Sequence, residues 1–194
     1  MKPRPPSIRI FLRTGVRLPQ PARFKAHLTQ VLQILGISRG QWAISLVRDR
    51  AMVPLHEQTM QLPTTTDVLT FNLSDSTSSN PRSARFLLDL DTVICVDEAK
   101  RQATARGHAV EKEILLYAIH SLLHVCGHDD LTPSDATRMH RREDVILRAL
   151  KVGPVYLSTV VKPASGVAPG KPKRRTEVSS RLDAGGSPAL RKAY

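Results

Sequence analysis

Two histidines, His120 and His124, stand four residues apart late in an apolar stretch, and the chain then runs Val125-Cys126-Gly127-His128-Asp129-Asp130. On a helix that spacing turns both imidazoles to one side. Gly127 can end such a helix in a left-handed conformation and fold the chain back toward the same side. Were the helix to continue instead, His120 and His128 would sit about 12 Å apart, too far to share one ion. After the break, His128, Asp129 and Asp130 are all able to ligate. Asp130, with the longer return path, is the expected third ligand, and His128 is the alternative. Three protein ligands around one divalent metal leave a position for water, whose acidity the metal raises. Hydrolysis is the chemistry this pattern suggests.

One absence narrows the class. A zinc peptidase with two helical histidines carries a glutamate directly after the first, as general base. Here that position is Ser121. A metallopeptidase is therefore a weaker reading than a hydrolase of another bond.

The elements that must position these residues are legible from periodicity. Ile8, Ile10 and Leu12 alternate with Arg9, Phe11 and Arg13 as a strand, and Trp42, Ile44 and Leu46 alternate as a second. Residues 66–71 and 92–96, rich in Val, Ile, Leu and Thr, predict third and fourth strands. Pro21 opens a helix with Phe24, Leu28, Val31, Leu32 and Leu35 at helical spacing, which Gly36 closes. The histidine-bearing helix spans about residues 111–126. Thr132-Pro133-Ser134-Asp135 starts another that runs to about Leu150. The Ser-, Asn- and Pro-rich stretch 74–85 is a loop. The expected architecture is a single α+β domain over residues 7–152, a small mixed four-stranded sheet packed with helices.

Of the 194 residues, 41% are hydrophobic, enough for a core, and the net charge is +12. Residues 151–194 carry nine Lys and Arg against two acids, so more than half of the positive excess lies in the last quarter of the chain. Composition there predicts a basic, disordered tail over residues 153–194. A basic surplus suits a polyanion such as nucleic acid. The chain shows no apolar signal segment and no membrane-length stretch. Cys95 and Cys126, in apolar settings, are expected to be reduced core residues of a cytoplasmic protein.

Several segments in one register resemble the bacterial YbeY endoribonucleases. Thr66-Asp67-Val68-Leu69-Thr70-Phe71 is similar to that family's Thr-Asp-Val-Leu-Ser-Phe strand, and Asp91-Thr92-Val93-Ile94-Cys95 to its Gly-Asp-Ile-Val-Ile strand. Gly107-His108 precedes the long helix as it does there. The run from His120 to Asp130 matches the signature His-Gly-x-Leu-His-Leu-x-Gly-Tyr-Asp-His. The similarity covers roughly residues 8–150 and excludes the basic tail. It implies a zinc-dependent, single-strand-specific endoribonuclease of ribosomal RNA maturation and ribosome quality control. That enzyme is cytoplasmic and holds one zinc per chain. Its partners are single-stranded RNA, ribosomal RNA and the ribosome, with no membrane and no small-molecule cofactor.

The family's ligands fall on His120, His124 and Asp130, where the third is a histidine in the family, while His128 takes the place of its tyrosine. A carboxylate in place of an imidazole leaves the metal less electropositive, its water a weaker acid, and its preference shifted toward harder ions. The arginine that family members carry in the loop before the third strand is Met60 here, with His56 where asparagine is usual. Arg48 and Arg50 are candidates to bind RNA in its stead. Asp67 could cap its strand or orient a ligand, His108 could simply start the helix, and Glu113 has the spacing of a surface ion-pair partner. An RNA-binding factor of the ribosome with weak or lost nuclease activity is the alternative function.

Overall fold

A computed structural model describes residues 5–74 and 78–156. Its elements are β1 (Ser7–Leu12), α1 (Pro21–Leu35), β2 (Gly40–Val47), α2 (Asp49–Met60), β3 (Val68–Asn72), β4 (Leu88–Cys95), α3 (Val96–Arg106), α4 (Val110–Val125) and α5 (Pro133–Ala149). The strands form one mixed sheet in the order β1-β2-β4-β3. β1, β2 and β4 run parallel, and β3 joins antiparallel to β4 at the edge. The α+β architecture with a four-stranded mixed sheet is as the sequence predicts.

Both faces of the sheet are covered, and strand alternation decides which residue goes where. Trp42, Ile44, Leu46, Val68, Leu90 and Ile94 join the main core with α1, α4 and α5. Val47, Leu69 and Cys95 face the other way and pack with Met52 of α2. Trp42 is fully buried, and its indole N–H donates to Thr92 Oγ1 at 2.9 Å. The same Thr92 hydroxyl lies 2.8 Å from Ser121 Oγ, which also accepts from Thr70 at 2.9 Å. Thus α4 is pinned to β3 and β4 by hydroxyls that would otherwise be buried without partners.

Helix α4 contacts α1, α3, α5, β3 and β4. A helix enclosed on that many sides must be apolar nearly all round, and Ile114, Leu115, Leu116, Ala118, Ile119, Leu122 and Leu123 are all buried. At about 1.5–3 kcal/mol for each large aliphatic side chain, this helix anchors the fold. Thr132 caps α5, its hydroxyl accepting from the Asp135 amide at 3.1 Å, with Pro133 in the first turn.

Two helices fall where periodicity gave no signal. α2 fills the stretch between the second and third predicted strands and α3 the stretch between the fourth strand and the histidine-bearing helix, so Met60 and His56 sit on a helix and not in a loop. Packing also continues past residue 152. Val155 is buried, and the backbone amides of Val155 and Tyr156 donate to Asp144 Oδ1 at 2.6 and 3.2 Å. The tail beyond Tyr156 lies outside the described residues. Both cysteines are free thiols. Cys95 is buried and Cys126 half-buried.

Candidate metal centre

The C-terminus of α4 sets the geometry. The Gly127 amide donates to His124 O at 3.0 Å and the His128 amide to Leu123 O at 3.0 Å, the paired bonds of a Schellman turn. That turn needs a left-handed residue at Gly127, whose φ is +86°. A Cβ there would also come within 3.1 Å of Ser79 Oγ. Beyond it Asp129 Oδ1 accepts from the amides of Asp130 and Leu131 at 2.8 and 3.3 Å. Asp129 thereby shapes the return segment, and the Asp130 side chain is turned back toward the helix.

The result is a cluster of ligand atoms from His120, His124 and Asp130, all within 4.8 Å of one another. His120 Nε2 lies 3.0 Å from His124 Nε2, 3.7 Å separates it from Asp130 Oδ2, and His124 Nε2 is 3.8 Å from Asp130 Oδ1. A tetrahedral site with bonds of about 2.0–2.2 Å has ligand edges of about 3.3–3.6 Å, which these separations bracket.

Protonation supports the same fit. His120 Nδ1 lies 2.8 Å from Glu143 Oε1 and His124 Nδ1 lies 3.2 Å from the His128 carbonyl oxygen. Both partners are acceptors, so each Nδ1 carries the proton and donates, leaving each Nε2 with a lone pair. Two neutral rings so arranged face each other lone pair to lone pair across 3.0 Å, which either a metal ion between them or a proton on one Nε2 relieves. Glu143 brings a buried negative charge behind His120, which favours positive charge on or beside that ring. Glu143 is fully buried, and its Oε2 accepts no hydrogen bond among the described residues. The donor set fits a divalent cation.

The two imidazoles differ electrostatically. Burial alone would depress His120, but the hydrogen bond and charge of Glu143, aided by Asp130 and Asp67, raise its pKa above the ordinary value. Burial and the neighbouring His120 lower that of His124. His128, the alternative third ligand, contributes its backbone carbonyl, and its ring is outside the cluster.

The cluster opens into a cavity of about 710 Å³ walled by α2, β3, α3, α4 and α5. Met60 and His56 line it, with His56 Nδ1 donating to Thr64 O at 2.7 Å. Asp67 lines it too, its Oδ1 accepting from the Val68 amide at 2.8 Å and from Thr66 Oγ1 at 3.1 Å. Arg48 and Arg50 do not reach it. Arg48 Nε instead faces Asp97 Oδ1 at 3.4 Å, and Arg50 sits in the first turn of α2. Ser121 lies in the core with Thr70 and Thr92, so the position after His120 offers no general base to this cavity.

Glu113 departs from expectation. It is no surface residue: it is fully buried, with Oε1 on Arg106 Nη1 at 2.5 Å and Oε2 3.0 Å from His108 Nε2. His108 therefore does more than start α4. Sequence reasoning missed Glu143 and Arg106. Glu143 had a usable signal, an acid on the apolar stripe of α5 between Met139 and Ile146-Leu147.

The sequence model of the family described as Endoribonuclease YbeY matches residues 19–151. Relatives bearing that name include one from Micrococcus luteus, 28% identical over 156 residues, 79% of this chain and 98% of that protein. Others come from Renibacterium salmoninarum, 34% identical over 136 residues (69% and 85%), and Saccharopolyspora erythraea, 36% identical over 149 residues (73% and 79%). A solution structure from Thermotoga maritima, 21% identical, superposes with a TM-score of 0.50 over 85% of this chain and 99% of that one, a likeness of fold alone. By the extent of the family match and the identity to these relatives, the chain belongs to the Endoribonuclease YbeY family.

Proposed function

We propose that this protein is a metal-dependent endoribonuclease that cleaves single-stranded RNA, acting in the cytoplasm in ribosomal RNA maturation and ribosome quality control. The observation that carries the proposal is the convergence of His120 Nε2, His124 Nε2 and the Asp130 carboxylate at the head of an open cavity, with both imidazole tautomers fixed from behind. Family membership supports RNA as the substrate class. Those three side chains would hold one zinc per chain, and a metal bound there supplies Lewis acidity toward water and a phosphoryl oxygen. Glu143 holds the His120 ring and its proton, and the His128 carbonyl does the same for His124. Asp129 keeps the return segment in place, so Asp130 approaches without a flexible search. No helix among the described residues is long and apolar enough to cross a membrane.

The basic segment beyond Tyr156 is assigned a supporting role in RNA affinity, through phosphate neutralisation. The test is cleavage of single-stranded RNA, duplex RNA and casein by purified protein, with and without chelator, alongside elemental analysis. Chelator-sensitive cleavage of single-stranded RNA, with close to one metal per chain, is expected. RNA binding without cleavage would favour the alternative of a binding factor, and casein cleavage would favour a peptidase. Absence of stoichiometric metal, with no effect of His120→Ala, would refute the metal site.

A further inference from the structure

We propose that Arg106 binds a phosphate of the RNA strand adjacent to the one that reacts, an inference that rests on the endoribonuclease reading above. The cavity has a charge problem for a polyanionic substrate. Its lining includes the carboxylates of Asp67, Glu98, Asp129, Asp130 and Glu143. Among its described lining residues the single Lys or Arg is Arg106. A metal at the histidine end offsets part of that negative charge, but only near itself. A strand crossing the rest of the cavity meets one permanent cation.

Arg106 is built to serve it. It is the last residue of α3, and Gly107 closes that helix in a left-handed turn. Its Nη1 holds Glu113 Oε1, and its guanidinium carbon lies 5.4 Å from the centre of the Tyr156 ring. Tyr156 in turn stacks on His140 at 3.8 Å between ring centres. These contacts fix the side chain from two sides while leaving it one-third exposed, and no hydrogen bond among the described residues uses its Nε or Nη2. At the other oxygen of Glu113, His108 Nε2 lies 3.0 Å away, with no hydrogen bond made by either atom among the described residues. A preordered guanidinium with unused donors loses little entropy on gripping a phosphate, and its planar fork suits that anion.

Position selects which phosphate. Glu113, which holds Arg106, lies seven residues before His120 on α4, about 10 Å along the helix axis. The guanidinium is therefore anchored toward the N-terminal half of α4, away from the histidine end, and is assigned to a neighbouring phosphate and not to the reacting one.

The test compares wild type with Arg106→Gln, Arg106→Lys, Glu113→Gln and the double variant Arg106→Gln/Glu113→Gln. The double variant removes the cation without leaving a buried carboxylate unpaired, so it guards against simple misfolding. Binding of a short fluorescent oligouridylate is measured by anisotropy across salt concentrations in chelator, where no turnover intrudes. Cleavage is measured separately with metal-loaded protein. One lost phosphate contact lowers the slope of log affinity against log salt by about 0.7, about fivefold in affinity at 0.1 M salt. The double variant should show that loss, with KM raised and kcat nearly unchanged. Arg106→Lys and Glu113→Gln, which keep the cation, should keep the slope. A folded double variant with wild-type slope and affinity overturns the proposal, because Arg106 then serves only Glu113. A fall in kcat with KM unchanged overturns the assignment to a neighbouring phosphate. Wild type that neither binds nor cleaves RNA refutes the endoribonuclease reading and this inference with it. Cleavage by wild type alongside an unchanged salt slope in the double variant refutes the inference alone.

Discussion

Replacing Glu143 by glutamine isolates what lies behind the proposed metal ligands. The amide oxygen of glutamine can still accept the His120 Nδ1 proton at the 2.8 Å contact, so the tautomer survives while the buried charge is lost. Loss of such an outer partner costs about 10–100-fold in metal affinity, or about 1.4–2.7 kcal/mol. At saturating zinc the metal-linked stabilisation falls by the same amount. For a folded unit of this size, 1 kcal/mol moves Tm by about 2–4 °C. The rise in Tm on adding zinc should therefore shrink by about 3–11 °C in Glu143→Gln. The metal-free Tm should move much less, because the variant also removes a fully buried carboxylate whose Oε2 has no hydrogen-bond partner among the described residues. Competition of the protein with a chromophoric chelator gives the affinity, and melts with and without zinc give the linkage. Zinc affinity equal to wild type in a folded Glu143→Gln variant would refute the reasoning, leaving Glu143 a buried partner of His120 with no bearing on metal.

Three further outcomes are expected. Asp130→Ala should lower zinc affinity at least about tenfold while His128→Ala changes it little, since His128 contributes its backbone carbonyl and not its ring; chelator competition that gives the opposite ranking would move the third ligand to His128. Gly40→Ala should cost at least about 3 kcal/mol in denaturant unfolding, because φ is +121° there and a Cβ would fall 2.0 Å from Leu88 O across the β2–β4 pair; a loss below about 1 kcal/mol would show that the strands shift to absorb it. Asp49→Asn removes a carboxyl held well below the ordinary range chiefly by its paired bonds to Arg101, at 2.8 Å each, with Cys95 and Thr65 adding hydrogen bonds. A depressed carboxylate stabilises above its unfolded pKa and loses that contribution as pH falls through the folded value. The Tm gap between wild type and Asp49→Asn should thus be present at neutral pH, modest because the pair is solvent-exposed, and should close as the medium is acidified below about pH 4; a gap that widens in acid would contradict the assignment.

Much of the scaffold was written in local pattern. Alternation in Ile8 to Leu12 and Trp42 to Leu46, and helical spacing from Phe24 to Leu35, reflect burial on one face, a property each segment carries by itself. Thr132 and Gly127 mark a helix start and a helix end for equally local reasons, a hydroxyl for an open amide and a backbone free to take φ of +86°. The His120, His124 and Asp130 convergence was legible for the same cause, since all three lie within eleven residues joined by one helix end.

What escaped depended on partners distant in sequence. α3 buries Val96, Ala99 and Ala103, side chains too small to write a strong stripe, and α2 carries Pro54 in its interior and buries only Met52 and His56. Both helices exist because the far face of the sheet and the flank of α4 need covering, and tertiary burial outweighs weak propensity. Glu113 looked like an ordinary charged helical residue, and the place of Glu143 on the apolar stripe of α5 did not name its partner; neighbouring helices enclose them only on packing, and burial then forces each to find a cation or a proton donor. Closeness in sequence to the missing family arginine suggested Arg48 and Arg50, yet the chain spends Arg48 on Asp97 and brings Arg106 to the cavity. Local sequence sets which residues can ligate, because ligation needs only the right atoms on one turn of chain. Which charges stand behind and beside them is decided by packing between segments up to dozens of residues apart, and that information exists only in three dimensions.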